Sequence, residues 1–189
     1  MTGDARLGVV LGTTDESFVT AYSTRAPFHL HGLVRVRTGA SEWALGQVVE
    51  TQATRPEALD DGAHPVRKKL QDLGFEPGDG TLYQARIRLL EERSTPVPVG
   101  ADVVAPEFDD VRQYLLPQAL DRAWPIGVVR GTRAVAETVP EALREKAPVL
   151  EPGAPAAAPA EGVPAMLDPY TQHEFPHIGI FGGSGSGKS

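Results

Sequence analysis

A chain of 189 residues with 41% hydrophobic content is long enough for one compact domain and the start of another. It has no apolar run of transmembrane length, and its N-terminus, MTGDARLGVV, lacks the basic region and apolar core of a secretory signal, so a soluble, cytoplasmic protein is expected. The absence of cysteine excludes a disulfide scaffold and a cysteine-based zinc site, and a net charge of −7 argues against the chain as a whole being an electrostatic platform for DNA.

The first third of the chain reads as short strands. LGVVL (Leu7 to Leu11), SFVTAY (Ser17 to Tyr22), LVRVR (Leu33 to Arg37) and WALGQVVET (Trp43 to Thr51) are β-branched or alternating runs separated by Gly, Asp, Ser and Pro. In LVRVR the alternation predicts one apolar face and one basic face carrying Arg35 and Arg37, the latter a solvated outer surface. HPVRKKLQDLGF then carries Val66, Leu70 and Leu73 at helical spacing, with Gly74 as the stop and Arg67, Lys68 and Lys69 on the polar side.

The strand signal returns in LYQARIRLLEE (Leu82 to Glu92), where Tyr83, Ala85, Ile87 and Leu89 alternate with polar residues. A strand near Val103 and Val104 follows, then a short helix expected to turn Val111, Tyr114 and Leu115 inward. WPIGVVRG (Trp124 to Gly131) reads as the last strand. The pattern predicts a mainly β fold: a small barrel or sandwich of about six strands with one or two short helices, over residues 1–131.

Beyond Gly131 the composition shifts. AVAETVPEALREKA has helical character, and six prolines in the twenty-two residues from Pro148 to Pro169 forbid a continuous helix or central strand there. Residues 132–170 therefore read as a semi-rigid Pro/Ala connector. HEFPH (His173 to His177) matches H-E-x-x-H, but Pro176 and the strand-like run after it deny the two histidines a common helical face, so no zinc site is expected. His29 and His31 in FHLHG lack acidic or cysteine companions and read as ordinary histidines.

Residues 171–189 carry the chemistry. Ile178 to Phe181 form a short apolar run suited to a buried parallel strand, and GGSGSGKS matches G-x-x-x-x-G-K-[ST], the phosphate-cradling P-loop. In such a loop the backbone N–H groups of Gly182, Gly183, Ser184, Gly185, Ser186 and Gly187 face phosphate oxygens, Lys188 reaches the β/γ oxygens, and Ser189 joins the Mg²⁺ shell. The cofactors implied are ATP and Mg²⁺. The helix that completes the anion site has no residues in the sequence, so the expectation is a piece of a larger ATPase that does not hydrolyse or tightly bind ATP by itself.

A β-barrel beginning LGVVLGTTDESFVTAY, carrying WALGQVVE, closed by PIGVVRGT and joined to HIGIFGGSGSGKS resembles the N-terminal part of the HerA family of hexameric DNA-translocating ATPases. The resemblance implies a barrel followed by the first strand and P-loop of a RecA-like core, with His177 just before the strand. It further implies a homohexameric parent enzyme that moves double-stranded DNA through its motor core and works with a NurA nuclease in end resection and double-strand break repair. The barrel's part is ring assembly and nuclease docking, and the catalytic carboxylate, sensor residues and trans-acting arginine lie outside these 189 residues. Pairing with another effector in phage defence is an alternative. A rotary ATP synthase subunit also has a barrel before its P-loop, but LDPYTQHEFPHIGIF lacks that family's P-I-G-R-G-Q-R type approach. A small P-loop kinase would begin near its loop.

Overall fold

The computed structural model describes residues 6–12, 17–55, 65–75, 81–91, 93–118, 120–145 and 162–168. Six antiparallel strands close into a barrel: β1 (Arg6–Val10), β2 (Phe18–Ser23), β3 (Leu33–Arg37), β4 (Trp43–Thr54), β5 (Leu82–Leu89) and β6 (Asp102–Val104). Their order is β1-β2-β5-β4-β3-β6, with β6 returning to β1. The chain is thus mainly β, as its alternation predicts. Val19 and Ala21, Val34 and Val36, and Ala85 and Ile87 point to a common core at two-residue spacing. Small β-branched side chains fill so narrow a barrel without crowding, and their stiff χ1 angles suit the pleat.

Closure depends on the shortest strand. β6 has three residues, pairing Val103 with Gly8 of β1 and with Val36 of β3. The Asp102 carboxylate braces both neighbours, meeting the Arg6 Nε of β1 at 2.5 Å and the Arg37 Nη1 of β3 at 3.8 Å.

The barrel also carries apolar residues on its outer surface, and two layers cover them. Helix α1 (Pro65–Asp72) lays Leu70 over Val9 of β1 and Tyr22 of β2. It ends as the sequence predicts: Gly74 has φ 81°, its N–H bonds the Gln71 carbonyl, and the Phe75 N–H reaches back to the Leu70 carbonyl, both at 2.9 Å. Leu70 and Phe75, brought together by this Schellman turn, are both buried.

The second layer covers Leu33 of β3 and Leu45 of β4. It consists of α2 (Phe108–Leu115), a 3₁₀ helix (Arg133–Thr138), α3 (Glu141–Arg144) and Val163. Asp109 and Asp110 sit in the first turn of α2, where the helix dipole favours negative charge. The Asp110 carboxylate accepts from the Glu107 N–H at 2.7 Å and from the Arg35 Nη1 at 3.0 Å, tying α2 to β3.

Three expectations are corrected. Arg35 is no solvated residue: its guanidinium lies 4.7 Å from the Trp43 ring centroid and is paired with Asp110, because the second layer covers that face. Tyr114 turns outward, 39% exposed, while Val111 and Leu115 face the barrel. Trp124 to Val128 forms a strand, β7, but it lies outside the barrel, which β6 closes instead. Its partner is β8 (Pro164–Leu167), a strand inside the proline-rich stretch; among the described residues β8 pairs only with β7, so it is an edge strand, where proline is tolerated.

Candidate functional site

The sequence-derived nucleotide residues, Gly182, Gly183, Ser184, Gly185, Ser186, Gly187, Lys188 and Ser189, lie outside the described residues, as do Ile178 to Phe181 and the HEFPH stretch. By donor chemistry the set fits a Mg²⁺-bound nucleoside triphosphate: backbone N–H groups and an ammonium for anionic oxygens, a hydroxyl for the metal. Among the described residues two of the exposed large hydrophobic side chains, Trp124 and Ile126, lie on β7, which pairs with β8 in hairpin-like fashion across the long connection 129–163.

The strand pair is held at both ends, and Trp124 and Ile126 are exposed between them. At the base Val163 is fully buried in the second layer, and its N–H donates to the Thr132 Oγ1 at 2.8 Å. That hydroxyl in turn donates to the Val129 carbonyl at 2.7 Å, so one buried threonine staples both strands. Gly131 makes the turn beneath them with φ 85°. A Cβ there would lie 1.9 Å from the His31 carbonyl oxygen, so only glycine lets the hairpin base reach the loop before β3. The Leu33 N–H then bonds the Gly131 carbonyl at 3.3 Å, joining the base to the barrel.

At the far end Trp124 pairs with Leu167 and Pro125 with Met166, and the register shifts between Pro125 and Gly127. Trp124 is 57% and Ile126 60% exposed. Just beyond, the Arg122 Nε and Nη2 donate to the Asp168 Oδ2 at 3.2 and 3.1 Å. The Asp168 side chain is nearly inaccessible whereas Arg122 is half open to solvent. This pair clamps the entry to β7 against the end of β8.

Neither the hairpin nor its clamp is anticipated from sequence, where WPIGVV reads as a barrel strand. Pro125 is the signal available beforehand, since a proline inside a strand assigns it to an edge.

His29 is exposed and His31 half-buried, and among the described residues no group of three or more His, Cys, Asp or Glu side chains is placed to hold a metal ion. Lys68 and Lys69 are exposed on α1 and Arg67 is half-buried. No helix among the described residues is long and apolar enough to cross a membrane. No protein-family model matches the chain, and no curated protein matches its sequence.

Proposed function

We propose that this chain is the N-terminal assembly and partner-docking region of a HerA-like, ATP-driven DNA translocase that acts with a NurA nuclease in DNA end resection and double-strand break repair. One observation carries the reading: a closed six-stranded antiparallel barrel stands in the same chain as, and ahead of, a G-x-x-x-x-G-K-S sequence. The exposed Trp124 and Ile126 side chains, solvent-facing on β7, give the described surface apolar area suited to protein contact. The chain's net charge of −7 gives no overall attraction for a polyanion.

In this reading ATP and Mg²⁺ are held by residues 182–189 together with the rest of a motor core, and the parent protein is a cytoplasmic homohexamer. Bound nucleotide supplies the free energy of movement along DNA. Lys188 neutralises phosphate charge and Ser189 offers a metal ligand. Duplex DNA is gripped by the motor core.

The test mixes the 189-residue chain with the NurA-type nuclease encoded beside it and, separately, with labelled duplex DNA, at about 150 mM salt, where charges beyond roughly 8 Å are screened. Capture of the nuclease with weak, salt-sensitive DNA binding is expected. Salt-resistant submicromolar DNA binding without nuclease capture overturns the docking role.

A further inference from the structure

The arginines of the barrel strands fall into two groups. Arg6 on β1 and Arg35 and Arg37 on β3 each reach a carboxylate, that of Asp102 or Asp110. Arg86 and Arg88 on β5 do not. Both are exposed, and among the described residues neither joins an ion pair, although Glu50 of β4 lies opposite Arg86 in register. In a chain whose net charge is −7, these two guanidiniums form a local positive stripe left open to an anion.

Register sets what surrounds them. β5 pairs with β2 on one side and β4 on the other, and Ala85 and Ile87 enter the core, so Arg86 and Arg88 share the outer face with Phe18 and Thr20 of β2 and Gln52 of β4. The Arg86 guanidinium lies 4.3 Å from the Phe18 ring centroid. That stacking restricts the side chain while leaving the residue exposed, which prepares a planar cation for a second flat group. Gln84, next on the same face and opposite Gln52, adds amide donors and acceptors. Arginine, amide and hydroxyl groups around one ring suit phosphates and base edges better than the apolar anchors of a protein interface.

We propose that this outer face of β2, β5 and β4 binds single-stranded nucleic acid, with Arg86 and Arg88 on successive phosphates. Two residues along one strand span about 7 Å, comparable to the step between neighbouring phosphates of a nucleic-acid strand. Each guanidinium matches a phosphate by paired N–H donors. An unstacked base can lie on the Arg86–Phe18 stack, whereas the stacked bases of a duplex are withheld from a sheet face. The site goes beyond the function proposed above and does not depend on nuclease docking. With two phosphate contacts on an acidic chain, binding is weak and salt-sensitive.

Fluorescence anisotropy of labelled oligothymidylate and oligouridylate, each of about 12 nucleotides, titrated with the 189-residue chain at about 20 to 150 mM salt, tests this. Binding of either oligomer is expected, with log affinity falling against log salt at a slope of about −1.4, the value for two phosphates on a single strand. Arg88→Gln should halve that slope to about −0.7. Arg86→Lys should keep the slope but weaken binding by at least about 5-fold, because the planar surface is lost. Lys68→Gln with Lys69→Gln, on exposed positions of α1, should change neither quantity. No binding up to about 1 mM chain at the lowest salt, indifference to Arg88→Gln, or an equal loss in the α1 variant overturns the proposal. Tighter binding of a same-length duplex or of a labelled oligoglutamate also overturns it, the latter assigning the face to an acidic protein segment. Nuclease capture without oligonucleotide binding removes this inference and leaves docking standing; oligonucleotide binding without capture does the opposite.

Discussion

The barrel and the β7–β8 hairpin are both antiparallel β-structure, yet their chemistry runs in opposite directions. Every barrel strand has two neighbours, and its inward residues are small, branched and almost wholly buried. Each hairpin strand has one neighbour among the described residues, and the largest exposed side chains of β7 are a tryptophan and an isoleucine. Closure lets the barrel satisfy its backbone without offering an edge, so its sequence is chosen for packing. The hairpin derives its order from its base, through Val163, Thr132 and Gly131, and its far end is left for surface chemistry.

Two isoleucines make the sharpest test of that contrast. Ile87 is fully buried in the barrel and Ile126 is 60% exposed on the hairpin. Ile87→Ala should cost about 2 to 5 kcal/mol, the sum of lost transfer energy and a residual cavity. Ile126→Ala should change stability by no more than about 0.5 kcal/mol, as surface substitutions do. Urea unfolding of the two variants measures the difference, and similar costs would mean that the hairpin end is packed in solution.

The next largest effect lies where the two regions meet. Gly131→Ala forces a Cβ into the His31 carbonyl and a side chain into a φ of 85°. Left-handed strain of this kind costs about 1 to 3 kcal/mol, and the backbone clash adds to it. The loss should appear as detachment of the hairpin from the barrel, read by faster amide exchange at Leu33, whose N–H bonds the Gly131 carbonyl. Unchanged protection at Leu33 would show that the base is held by other contacts.

Legibility in the sequence follows the range of the interactions. All six barrel strands and the end of α1 are readable as elements because their signals are local: alternation in LVRVR and LYQARIRL, the β-branched pair Val103 and Val104, and the Gly74 stop. The closing role of β6 is not readable, since three residues carry no periodicity and their neighbours are β1 and β3, both distant in the chain. β8 is hidden for a similar reason. PAML lies in a proline-rich stretch, and its partner is some forty residues upstream, so tertiary pairing overrides local composition. The surroundings of Arg35 and Tyr114 are not legible, because periodicity tells which residues share a face, not which faces are covered. Of the candidate site, the proposed phosphate-binding role of residues 182–189 rests on their motif, whereas the exposed face of β7 becomes visible only once β7 is seen outside the barrel.

The smallest effect concerns how the second layer is tied to the barrel at its rim. The Tyr114 hydroxyl of α2 donates to the Glu91 carboxylate just after β5. That hydrogen bond, followed by partial burial and the Glu91 charge, pushes the phenol from its ordinary 10.0 up to about 12. The folded chain therefore holds this proton more tightly than the unfolded chain. The associated stabilisation is fully present below pH 10 and is lost as pH rises through about 12. Tyr114→Phe should accordingly be less stable than the parent at pH 8, and the gap should narrow between pH 10 and 12. Ultraviolet titration of phenolate absorbance, taken as the difference between the parent and Tyr114→Phe, should give a midpoint near 12. A midpoint at the ordinary value would show that the Tyr114–Glu91 bond does not persist in solution, leaving the Arg35–Asp110 pair as the polar tie between α2 and the barrel.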